Sequence, residues 1–146
     1  MSHYFNPRYM EWKSADEMHE DSKSWLSELE FMITEQHFLD DLFGNYFIKL
    51  SSEKYLEKGR DLVERLEMSK NGVKSMIRDV QKHNNELEIL LDGVDQPYEE
   101  KEVKADHLLI RERMHELSHG FKELKSDFFI LIGNIMVAEK RKRLLS

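Results

Sequence analysis

The stretch VKADHLLIRERMHELSHGFKELKSDFFILIGNIMVA, residues 103–138, decides how this chain folds. Val103, His107, Ile110, Met114, Leu117, Phe121, Leu124, Phe128, Leu131, Ile135 and Ala138 recur in it at alternating spacings of four and three. That spacing keeps one stripe of a helix facing its neighbours over about ten turns, as a coiled-coil-like bundle requires. The same ladder fixes where every other residue of the helix points, at about 100° per residue.

Working back toward the N-terminus, a second seam reads Leu62, Leu66, Ser69, Val73, Met76, Val80, His83, Leu87, Leu90. A third reads Met18, Ser22, Trp25, Leu29, Met32, Gln36, Leu39, Phe43, Tyr46, Leu50. Ser14 with Glu17 three residues later is a capping-box pattern, and Asn6 before Pro7 is a competing helix start. Ser51–Ser52 makes one short connection. Asp92–Gly93 ends the second helix, with glycine expected in the left-handed conformation, and Val94 to Tyr98 makes the second turn. The expected fold is all-α, an up-down-up antiparallel bundle of three long helices at about 15–50, 53–91 and 99–142, in one domain spanning 1–146 with an N-terminal arm at 1–13. Gly44, Gly72 and Gly120 lie inside these helices, each at a cost of about 1 kcal/mol against alanine. Five shorter helices broken near those glycines are the alternative, but the hydrophobic phase runs through Ser69, Val73 and Met76 unchanged.

Composition sets the outer limits. The chain has 146 residues, a net charge of -7, no cysteine, two prolines, 40% hydrophobic and 35% charged residues. A modest single core with wide wet faces suits that balance. Acidic charge argues against nonspecific nucleic-acid binding, and the absence of cysteine removes disulfides and thiolate chemistry. The first residues carry no apolar signal segment. The apolar run Phe128–Ala138 spans about 16 Å of helix, short of the roughly 20 residues a membrane span needs. A soluble, cytoplasmic protein is expected.

Two histidine patterns suggest metal chemistry. His115-Glu116-Leu117-Ser118-His119 has the H-E-x-x-H spacing that places two zinc-ligating imidazoles on one helix face. With Met114 and Leu117 on the seam, however, both histidines point to solvent, away from any helix able to add a third ligand. The second pattern comes from folding the chain at its turns. His83 and His107 then share one level on their seams, and reflection through the first turn lands near His19. The three imidazoles form either a zinc or other transition-metal site or a pH-sensitive polar layer. Neither pattern makes a cofactor an expectation of the fold.

One end of the bundle is over-supplied with apolar residues. Phe43, Phe47, Phe128, Phe129, Ile132 and Met136 gather there, and near 128–137 the last helix is apolar almost all round. Such a helix wants neighbours on every side, most simply a second copy of the chain. Lys140-Arg141-Lys142-Arg143 follows directly, read as the solvated last turn of a helix; contact with lipid or nucleic acid is not expected, because the remainder of the chain is acidic. No phosphate-binding glycine loop or nucleophile elbow stands out. The sequence therefore reads as a non-enzymatic interaction or scaffold protein that self-associates through its apolar end. The competing expectation is a metal-binding or metal-dependent bundle using the histidines.

Overall fold

The computed structural model describes residues 13–93 and 97–145, with Pro97, Tyr98 and Glu99 described by backbone alone. Among the described residues four helices follow in chain order: α1 (Ala15–Asn45), α2 (Phe47–Leu50), α3 (Leu56–Asp92) and α4 (Pro97–Leu145). The three long ones form an all-α bundle. Paired residues advance together on α1 and α4, from Asp21–His107 through Glu35–Lys125 to Lys49–Glu139 near the end of α2. They run oppositely between α3 and each neighbour, as Gln36–Ser69, His19–Glu88 and Arg65–Asp127 show. The order is up-down-up, with α3 packed closely on both partners.

The N-terminus of α1 is set by its capping box. Ser14 Oγ accepts from the Glu17 amide at 3.1 Å, and Glu17 Oε1 accepts from the Ser14 amide at 3.2 Å. The competing start at Asn6 and the arm before Lys13 lie outside the described residues.

Three expectations need correction. The first helix does not run unbroken to Leu50. It ends at Asn45, where Gly44 and Asn45, both poor helix formers, precede Tyr46 at φ -109 and ψ 15. The bend lets α2 fold its last residue, Leu50, into the core at 2% exposure. Gly59 of α3 makes room for it: a Cβ there would stand 3.0 Å from the Leu50 carbonyl oxygen. Gly93 does not end α3 in the left-handed region; its backbone is extended, at φ -87 and ψ 162, so the chain simply straightens out of the helix. Lastly, α4 opens at Pro97, where proline's missing amide costs the first turn nothing. Gly72 and Gly120 break neither α3 nor α4.

The core follows the seams, but in two pieces. The larger piece runs from Leu29, Val80 and Ile110 to Phe128, Leu131 and Ile135. The smaller gathers Met18, Leu87, Val103 and Leu108. Between them lies a polar layer.

Candidate functional site

His107 of α4 is fully buried, and His83 of α3 is 2% exposed. Their rings meet, with His83 Nε2 2.8 Å from His107 Nδ1. On its other side, His107 Nε2 lies 2.9 Å from Asp21 Oδ2 of α1. The same carboxylate oxygen takes Lys13 Nζ at 2.7 Å, and Lys13 is itself buried. Trp25 packs a ring face on His107, centroids 4.6 Å apart. A chain Lys13–Asp21–His107–His83 therefore ties all three long helices together at one level.

Protonation follows from the geometry. A carboxylate only accepts, so His107 Nε2 carries a hydrogen and donates to Asp21. Burial lowers the His107 pKa, outweighing the Asp21 carboxylate that works the other way, with Lys13 and Arg111 adding to the lowering. A neutral His107 then has a bare Nδ1, so His83 Nε2 is the donor between the rings. Burial, and next the charge His107 would carry, push His83 down to about 4. Its own Nδ1 is left as a lone pair, buried and without a hydrogen-bond partner among the described residues.

Such a chain resembles a proton relay, yet a base with a pKa near 4 holds no proton to deliver at neutral pH and abstracts one weakly. Apart from His83 Nδ1, its ring nitrogens are engaged in joining helices. Among the described residues no three His, Asp or Glu side chains are set to share a metal ion.

His19 stands apart from this layer. It is half-buried, with Nε2 3.5 Å from Glu88 Oε1. Asp21 occupies the place on α1 that reflection through the first turn gave to His19. The reason is the turn itself: α1–α3 pairs such as Gln36–Ser69 and His19–Glu88 are centred near residue 53, beyond Ser51–Ser52, because α2 lengthens the connection. Sequence reasoning missed Asp21 and Lys13. The available signal was Asp21 next to the seam serine Ser22, one turn before Trp25.

His115 and His119 are both exposed, their rings nearly parallel with centroids 6.4 Å apart. His119 leans toward Glu123 at 3.2 Å. His115 borders a cleft with Trp25 and Glu28 of α1.

The six apolar-end residues divide. Phe128 and Ile132 are core, at 0% and 4% exposure, and Phe43 is half-buried against Phe128. Phe128 and Ile132 are covered by packing of α4 within the bundle, chiefly against α3. Phe47, Phe129 and Met136 remain about half exposed. Phe129 meets Phe38 of α1, ring centroids 6.3 Å apart, directly above the Glu35–Lys125 pair at 2.6 Å. Phe31 lies one heptad before Phe38 and Met136 one heptad after Phe129. All four are exposed, so a second apolar seam runs along the outside of the α1–α4 junction.

The chain matches no protein-family model, no curated protein and no solved structure. No helix among the described residues is long and apolar enough to cross a membrane.

Proposed function

We propose that this chain is a non-enzymatic helical interaction protein of the cytoplasm that self-associates through its α1–α4 face. The observation that carries the reading is the Phe38–Phe129 contact, two aromatic rings touching across two helices while each stays about half exposed. Phe31 and Met136 extend it at heptad spacing in both directions. A stripe of large apolar side chains on parallel helices gains by burying itself against a matching stripe.

Charge favours a second copy as the occupant. Beyond the Glu35–Lys125 pair, which is closed within one chain, the α1 side of the seam carries Glu28 and Asp41 and the α4 side carries Lys122. A two-fold axis parallel to the helices sets α1 of each copy against α4 of the other. Acidic edges then face basic ones, and Phe38 lies over Phe129 of the second copy. Sedimentation equilibrium over a wide concentration range tests the reading. Twice the 17.5 kDa chain mass at high concentration is the expected result, and the chain mass at every concentration would overturn it.

A further inference from the structure

Net charge treats the chain as a point, and the fold does not. Lys49 Nζ lies 3.8 Å from Glu139 Oε1, and Lys58 shares a cleft with Ile130 and Asn134. Residues 49–60 and 136–145 therefore form one tip of the bundle. They hold eight Lys and Arg against three acidic residues, Glu53, Glu57 and Glu139, leaving 14 basic and 26 acidic residues elsewhere. Of the acids outside the tip, Asp61 and Asp127 are both bound by Arg65, at 3.3 and 2.8 Å. Asp127 precedes Lys140 by 13 residues. That is about 20 Å of helix, more than two Debye lengths at physiological ionic strength. To an approaching surface the tip is basic, whatever the total.

The tip is also apolar on one side. Ile130, Val137 and Leu144 recur at intervals of seven along α4 and are 60%, 52% and 75% exposed. Every residue from Lys140 to Leu145 is exposed. At 100° per residue, Lys140 and Arg141 flank Val137 within about 60° on either side. This stripe lies toward α3, away from the Phe38–Phe129 seam.

We infer that the Ile130–Val137–Leu144 face of α4 docks on a lipid bilayer with anionic headgroups, lying in the headgroup plane. The apolar stripe enters the acyl boundary, and Lys140, Arg141 and Lys142 take the headgroup charges, their stems spread over the apolar surface. A phosphodiester backbone would use the lysines and arginines but leave Ile130, Val137 and Leu144 without a role, so the bilayer is the better fit.

Co-sedimentation of the full chain with vesicles of phosphatidylcholine, alone or with about a third phosphatidylserine, tests this. Binding is expected only with phosphatidylserine, and about tenfold weaker at high salt. Lys140→Glu with Lys142→Glu should abolish it, and Val137→Ser with Leu144→Ser should weaken it about tenfold. All four positions are exposed, and circular dichroism should show that the variants stay helical. Phe129→Glu should keep the phosphatidylserine preference, which separates this site from self-association. No partition into phosphatidylserine vesicles would overturn the inference. So would binding to duplex DNA as tight as to vesicles, with the serine pair changing neither.

Discussion

The two ends of this bundle solve burial in opposite ways. At the end held by Met18, Leu87 and Val103, the core is small and is separated from the rest by the Lys13–Asp21–His107–His83 chain. There the helices are pinned by directional polar contacts, with lost hydration offset by specific geometry. At the other end the core is aromatic, built on Phe121, Phe128 and Phe43, and its apolar character spills outward to Phe38, Phe129 and Met136. A polar layer fixes register, whereas a surplus of apolar surface invites another molecule. One chain thus has an end that specifies its fold and an end that, in the function proposed above, associates.

The largest expected effect tests the aromatic end. Phe128→Ala removes a fully buried ring and should cost about 3–5 kcal/mol in denaturant unfolding. A loss below about 1 kcal/mol would mean that the ring is not central to the core.

Next comes the polar end, read by pH. His83 binds its proton near pH 4 in the folded chain and near 6.5 when unfolded. As pH falls from 6.5 to 4 the unfolded chain takes up the proton first, so stability present above pH 6.5 is lost across that window. The loss is about 3 kcal/mol. Comparison with His83→Gln isolates this contribution from Asp79, Glu86 and Asp106, which line the same α3–α4 cleft with Lys82 and Arg113. Equal pH slopes for the two proteins would contradict a neutral, buried His83.

The smallest effect belongs to His115 and His119. Replacing both with alanine should change stability by no more than about 0.5 kcal/mol, because each is exposed. A large loss at this pair would erase the contrast between its surface role and the buried His83–His107 pair.

How much of this was legible in the sequence depends on the length over which a pattern averages. The α4 ladder from Val103 to Ile135 and the α3 seam from Leu62 to Leu87 settle the bundle, because ten consecutive turns cannot keep phase by accident. Short features were harder to read. The bend at Tyr46 rests on two residues, and it moved the reflection that chose His19 over Asp21. Burial was over-read at the apolar end in the other direction: Phe128 and Phe129 are neighbours in sequence, yet one is fully buried and the other about half exposed. Only tertiary packing, chiefly of α3 on α4, decides which side of α4 is closed. Polar partners such as Lys13 carry no periodic signal at all.

Sedimentation of the wild type beside Phe38→Glu, Phe129→Glu and Ile89→Glu tests the contrast most directly. Ile89 is 66% exposed on the polar half, so it controls for simply placing a charge on an apolar surface residue. A dimer lost in both phenylalanine variants and kept in Ile89→Glu is the expected result. Association that survives both phenylalanine variants, or fails equally in all three, would contradict the assignment of the α1–α4 seam.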